Sequence, residues 1–279
     1  MSERILLCVD VSYQSDRATA MNQQLTSGDT FTGGLYGFLM FFGKVMRETR
    51  ATHVAFCTDA PPYQRSLEYP QYKHLRKRTQ DDDLHRLRMD SRKLVKATLE
   101  DIGCALWCVP GFESDDLIAH AVRQYACRFD HIYAASNDSD LYQLLECDSF
   151  SIYKTDIKEV VTRKTLLRDL GLTPAQYMLA TALQGTHNDI EGIAGVGEKR
   201  SRSAVKDAFE LRQLRERHAE LIQRNLHLIK LPHPHFPSGV RLPQHRPGFK
   251  FRQLYRMLGR YDIQTTPSMI DAFEAFMPV

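Results

Sequence analysis

The chain has 279 residues, 43% of them hydrophobic, and a formal net charge of only +3, so it can bury a sizeable core in one large domain or two ordinary ones, while its net charge points to no partner. No apolar run is long enough to span a bilayer and no signal peptide opens the chain, which predicts a cytoplasmic protein with no membrane partner. The six cysteines form no CxxC pair, which argues against a structural zinc site and fits thiols kept reduced.

Residues 4–9 predict a short buried strand, with Asp10-Val11-Ser12 as a loop after it. Leu35, Phe38, Leu39, Phe42, Val45 and Met46 recur at helical spacing and predict a helix over 33–49, its start helped by Gly33-Gly34. A second strand is expected at 53–58, closed by Asp59-Ala60-Pro61-Pro62. Residues 63–90 are polar and basic and predict a mobile segment or an arch. A helix over 91–102 stops at Gly103, a third strand covers 104–109, and Pro110-Gly111 turns into a helix over 113–127. Further strands are expected at 131–136, 150–154 and 158–161. Strands alternating with helices predict an α/β fold with an open, mostly parallel sheet, whose site lies beyond the carboxyl ends of the strands.

After about residue 165 the chain reads as helical, beginning with Thr173 as an N-cap and Pro174 at the first helical position. A loop interrupts it over 232–248, which holds five prolines. Two domains are therefore expected, one over 1–168 with an arch at about 63–95, and a helical one over 169–279.

The acids carry the chemistry. Asp10, Asp59 and Asp138 each follow an apolar run and so fall at strand ends. Glu113, Asp115 and Asp116 open a helix, where the dipole favours negative charge, and Glu113 and Asp116 share a face. Helix capping needs one or two carboxylates; three beside further clusters point to metal. Asp138-Ser139-Asp140 adds a pair that would be weak on its own, and Asp189 stands in a later loop. Carboxylates converging at one sheet edge repel, and Mg²⁺ or Mn²⁺, which prefer oxygen ligands, are the usual remedy.

The bases lie elsewhere. Ten face five acids between Arg65 and Lys96, and eight stand without an acid between Glu220 and Asp262. Both stretches read either as solvated basic surface or as contacts to an anionic polymer beside the metal site. In Tyr72-Lys73-His74-Leu75-Arg76, the lysine and arginine three apart can contact one phosphate. Gly192-Ile193-Ala194-Gly195-Val196-Gly197 followed by a basic helix has the pattern of a helix-hairpin-helix, expected within about 185–209, whose glycines let backbone N–H groups approach a phosphate. Lys199, Arg202 and Lys206 would share one helix face, with Ala204, Val205, Ala208 and Phe209 on the buried side. A dinucleotide-binding turn would need a strand before the glycines, and a polar loop stands there instead.

Taken together, these stretches resemble the structure-specific 5′-nucleases: flap endonucleases, the 5′→3′ exonuclease domain of bacterial DNA polymerase I and phage 5′→3′ exonucleases. The resemblance runs over about residues 4–210. It rests on Val9-Asp10-Val11-Ser12 with Arg17-Ala18, residues 33–38, Asp59, residues 69–76, 111–119, 136–145 and 192–200, in the family's order. It implies two divalent metal sites. Asp10, Asp59, Glu113, Asp115, Asp116 and Asp138 would build the first, some through water, and Asp138, Asp140 and Asp189 would serve the second. Lys73 and Arg76 would neutralise the scissile phosphate, Tyr72 would stack on a base, and Arg17 would hold a nearby phosphate. The hairpin at Gly192, Gly195, Gly197 and Lys199 would grip duplex backbone without reading sequence, with a K⁺ ion in its turn.

One stretch departs from the family, which shows Gly-Asp-x-x-Asp-Asn-Ile before the hairpin. Here Gly185-Thr186-His187-Asn188-Asp189-Ile190 is one residue shorter. Aligned from the left, Thr186 replaces the first aspartate; aligned from the hairpin, Asn188 takes the place of the second. Either way a carboxylate is lost, which predicts a weakened second metal and better activity with Mn²⁺ than with Mg²⁺. The expected protein is a monomeric flap endonuclease and 5′→3′ exonuclease of a bacterial or phage-infected cell, acting in replication or repair on branched or 5′-ended DNA and on RNA:DNA hybrids. The competing expectation is a DNA-junction binding protein with weakened catalysis.

Overall fold

The computed structural model describes residues 3–75, 82–241 and 251–264, together with Ile270. Strand β1 (Ile5–Asp10) runs directly into helix α1 (Val11–Met21), because the Asp10 carboxylate accepts the N–H of Tyr13 at 2.9 Å and caps the helix. The expected loop at 10–12 is therefore a helix start. A small hairpin, β2 (Thr26–Ser27) and β3 (Thr30–Phe31), leads to α2 (Gly33–Thr49). All six of its periodic apolar residues are buried. Gly34 does more than open the helix: a Cβ there would lie 2.2 Å from Ser91 Oγ, so the glycine lets α2 meet a later helix closely.

Strand β4 (His53–Cys57) is followed by α3 (Gln64–Glu68) and α4 (Asp82–Asp101). Residues 63–90 hold more regular and more buried structure than expected, in two places. Arg65 of α3 is buried, and α4 begins well before residue 91. The polar first half of α4 is tied to α1 by Arg92, which pairs with Asp16, and by Ser91, whose Oγ accepts a hydrogen bond from Thr19. Then come β5 (Leu106–Trp107), α5 (Ser114–Tyr125), β6 (His131–Ala135), a 3-10 helix (Ser139–Glu146), β7 (Phe150–Lys154) and β8 (Glu159–Val161).

These strands form a six-stranded sheet in the order β5-β4-β1-β6-β7-β8, parallel except for the β7–β8 edge pair. Leu35, Phe38, Phe42, Phe56, Val95 and Leu99 fill one face and Leu117, Ile118, Val122, Leu141 and Leu145 the other, as a sheet covered by helices on both sides requires.

The remainder is helical: α6 (Arg163–Leu170), α7 (Pro174–Gln184), a short hairpin of β9 (Gly185–Thr186) and β10 (Ile190–Glu191), α8 (Glu198–Ala204), α9 (Ala208–Arg217), α10 (Ala219–Ile229) and α11 (Phe251–Arg260). Thr173 caps α7 as expected, accepting the Gln176 N–H at 3.2 Å. Leu172, Leu183, Ile193, Val196, Leu214 and Ile222 form a separate core here. Helix α8 ends at Ala204 and Asp207 caps α9, accepting the N–H groups of Phe209 and Glu210. One continuous basic helix is thus broken in two. Ala204 and Val205 are buried, but Phe209 is 69% exposed, contrary to expectation. The described part of the proline-rich loop, up to Arg241, packs back on the sheet domain through Leu231, Phe236 and Val240.

Candidate metal centre

Parallel β1, β4 and β6 all end at one sheet edge, and each hands its chain to an acid. Three of the site's acids are also helix N-caps: Asp10 of α1, Glu113 of α5 and Asp138 of the 3-10 helix, whose carboxylate accepts the Asp140 N–H at 2.8 Å. Capping and clustering are the same feature, since helix starts at one sheet edge bring their capping carboxylates together. Asp10, Asp59, Glu113, Asp115 and Asp138 line one cleft of about 330 Å³, with Lys73, Arg92 and His187 at its walls.

Ser114, absent from the sequence reading, holds this group together. Its Oγ donates to Asp10 Oδ2 at 2.6 Å and its N–H to Asp59 Oδ1 at 2.9 Å, so α5 clamps the ends of β1 and β4. A smaller recess of about 20 Å³ adjoins the cleft; Asp115 and Asp138 line both, and Asp140, Thr186 and Asn188 line only the recess.

Electrostatics show the strain of this convergence. Burial and the charge of Asp59 push Asp10 up to about 7, against the Ser114 and Tyr13 hydrogen bonds. Burial and the charge of Asp138 push Asp140 up to about 7. Burial, then Asp138 and Asp10, raise Asp115 well above the carboxylate range. Glu113 differs: burial raises it, but Lys73 and Arg65 outweigh that and hold it below its ordinary value.

The basic side of the site was only partly legible. Arg65 donates to Glu113 at 3.0 Å and to both oxygens of Asp116, at 2.6 and 2.8 Å, and its Nε donates to the Leu228 carbonyl at 2.8 Å. Asp116 also accepts the N–H groups of Glu113 and His233. It is fully buried and outside the cleft, so it orders α5 rather than facing the site. Tyr72 is likewise buried, its OH donating to Glu113 at 2.8 Å; it is not placed to stack on a base. Lys73 pairs with the other oxygen of Glu113 and does reach the cleft. Arg17 donates to the Thr155 carbonyl at 3.3 Å and does not line the cleft. Arg76 lies outside the described residues.

The family model for the 5′-3′ exonuclease N-terminal resolvase-like domain matches residues 6–171, more than half of the chain. The chain belongs to the 5′-3′ exonuclease family. It is 31% identical over 194 residues to DNA polymerase I of Mycobacterium bovis, covering 68% of this chain but 21% of that protein. It is 30% identical over 194 residues to a 5′-3′ exonuclease of Halalkalibacterium halodurans, covering 65% of this chain and 61% of the relative. The chain thus spans about a fifth of the first relative's length and 61% of the second's. Its fold is that of the bacteriophage T5 flap endonuclease solved with DNA and metal ions, with a TM-score of 0.69 at 17% identity over 98% of this chain and 99% of that one.

Against this family frame the loop before the hairpin is informative. Asn188 is buried against the recess, its amide donating to Asp140 Oδ2 at 3.4 Å. Asp189 turns away with φ of 62° and accepts the Leu75 N–H at 2.8 Å, so it lies outside both the cleft and the recess, and its expected place among the metal ligands is corrected. Asn188, and not Asp189, therefore faces the recess. His187 borders the cleft from its exposed position.

In the hairpin, Gly192 is required because a Cβ would lie 2.1 Å from the Gln184 carbonyl carbon, and Gly195 because its φ is 76°. Gly197 caps α8. Lys199, Arg202 and Lys206 line one shallow depression, although Lys206 stands beyond the end of α8. No helix among the described residues is long and apolar enough to cross a membrane.

Proposed function

We propose that the chain is a metal-dependent 5′-nuclease that hydrolyses DNA phosphodiesters at 5′ ends and 5′ flaps. The observation that carries this reading is the convergence of Asp10, Asp59 and Asp138, from three strand ends, and Asp115, from the first turn of α5, on one cleft with Lys73 beside them. The donors are all oxygen, and Lys73, Arg65 and Arg92 offset the raised carboxylates only in part, so the residues fit Mg²⁺ or Mn²⁺. Bound divalent ions supply the Lewis acidity that lowers the pKa of water and neutralises phosphate charge.

Asp10, Asp59, Asp115 and Asp138 would hold one ion. Asp140, with Asp115 and Asp138, would hold a second at the recess. Asn188 and Thr186 there add no carboxylate, which supports a weakened second site and a preference for Mn²⁺. Glu113 steers the Lys73 ammonium into the cleft, where it faces the scissile phosphate together with Arg92. Arg76 is assigned to the same phosphate from its spacing to Lys73, and Arg17 to a phosphate further along the strand. Backbone N–H groups at 192–197, with Lys199, Arg202 and Lys206, would hold duplex phosphates without sequence readout, with K⁺ in the turn. Action on RNA:DNA hybrids, a monomeric state and a bacterial or phage-infected cytoplasm belong to the same proposal.

A labelled 5′-flap duplex in Mn²⁺ tests it, with wild type beside Asp138→Ala. Cleavage by wild type alone supports the nuclease. Equal binding without cleavage by either supports a junction-binding protein, the reading that Asn188 in place of an aspartate favours.

A further inference from the structure

A second cluster of ligand-type side chains lies away from the carboxylate cleft. Glu68, at the end of α3, faces His227 of α10 and His233 and His235 of the loop that follows. His227 Nε2 lies 2.7 Å from Glu68 Oε2, His233 Nε2 3.5 Å from the same oxygen, and His235 Nδ1 2.8 Å from Glu68 Oε1. The ligand atoms of Glu68, His227 and His233 are all within 4.8 Å of one another. The three imidazole rings stand edge to face, with centroids 5.1 to 5.5 Å apart.

Hydrogen bonding accounts for two of these histidines and not for the third. His227 and His235 are each within hydrogen-bond distance of the carboxylate. His233 has a side chain that is 0% exposed, and its Nε2 is buried, aimed at Glu68 and without a hydrogen-bond partner among the described residues. A buried polar atom left unpaired is costly, and a cation in that position would satisfy it.

We propose that Glu68, His227 and His233, with His235 as the adjacent fourth donor, form a separate binding site for a late first-row divalent ion, Zn²⁺ foremost. Three imidazoles and one carboxylate suit Zn²⁺, whereas Mg²⁺ and Ca²⁺ prefer all-oxygen sites such as the cleft. The His235 N–H donates to His233 Nδ1 at 3.3 Å, which places the ring proton on Nε2; loading moves that proton to Nδ1 and gives up this long hydrogen bond. The site joins α3 to α10 and the following loop. Arg65, one turn before Glu68 on the same helix, grips Glu113 and Asp116. An ion here therefore fastens α3, the element that orders α5.

The test uses the full chain stripped of metal and titrated with Co²⁺, whose visible absorption is intense in a four-coordinate nitrogen-oxygen site and faint in a six-coordinate carboxylate site. Wild type and Asp115→Asn/Asp138→Asn should both take up one Co²⁺ with the intense band, displaced by Zn²⁺, and Zn²⁺ should raise the melting temperature of both. His227→Gln should lower the affinity about a hundredfold. Glu68→Gln, nearly isosteric and partly exposed, should act in the same direction and serves if His227→Gln does not fold. A faint band only, or an intense band unchanged in both Glu68→Gln and His227→Gln, would overturn the proposal.

Discussion

Arg65 and Asp116 form a paired contact, at 2.6 and 2.8 Å, in which the side chains are only 5% and 0% exposed. The pair joins α3 to the start of α5, the helix capped by Glu113 that also carries Ser114 and Asp115. The geometry of the carboxylate cleft thus depends on an arginine that does not line it.

Removing one partner of a buried ion pair leaves the other uncompensated. Arg65→Met should therefore cost about 3–5 kcal/mol of stability, read from urea denaturation. Arg65→Lys should recover little of it, because lysine cannot reach Asp116, Glu113 and the Leu228 carbonyl from one planar fork. Wild-type stability in Arg65→Lys would contradict this.

Ser114→Ala removes the hydroxyl hydrogen bond to Asp10 and keeps the backbone one to Asp59. Losing about 1 kcal/mol of orientation should raise the metal concentration for half-maximal activity about fivefold and leave the rate at saturating metal nearly unchanged. Initial rates across a Mn²⁺ series check this.

Asn188→Asp replaces the amide that lies 3.4 Å from Asp140 with a carboxylate. The variant should bind the second ion more tightly and narrow the difference between Mg²⁺ and Mn²⁺ rates. Without metal it should be less stable than wild type, since it adds a like charge to a crowded recess. Calorimetric titration with Mn²⁺ and melting in chelator measure the two effects separately.

Metal-free stability should fall as pH rises from about 4 to about 7. Asp10 and Asp140, raised to about 7, keep protons in the folded chain that the unfolded chain has already lost. Asp115, raised as well, adds to this. His233, lowered to about 4, works the other way between about 4 and 6.5, and His53 and His131, lowered by burial, act in the same direction but less strongly than the raised carboxylates. Glu113 is lowered, so its contribution is gained below this window. Urea midpoints at pH 5 and pH 8 in chelator should show the decline, and saturating Mg²⁺ should abolish it.

Much of this was written locally. The alternation of apolar runs predicted the sheet, and the acids that end β1, β4 and β6 could be read because strand ends of a parallel sheet share an edge. What stayed hidden depends on partners far along the chain. Arg65 looked like surface because its counter-charges, Glu113 and Asp116, lie about fifty residues later. Tyr72 looked like a stacking residue until Glu113 took its hydroxyl. Mid-helix α4 is held to α1 by polar contacts, Arg92–Asp16 and Ser91–Thr19, whose partners lie more than seventy residues earlier. Cysteine spacing argued against zinc, yet three histidines of one short stretch meet Glu68 from across the fold. Phe209 was assigned to a buried face by extending α8 past its actual end at Ala204.

Crystals soaked in Mn²⁺ and measured at the manganese absorption edge test most directly whether the scattered acids cage a cation. An anomalous peak bound by Asp10, Asp115 and Asp138, with a weaker one beside Asp140, is the predicted result. A cleft without any peak at saturating Mn²⁺ would contradict the nuclease reading.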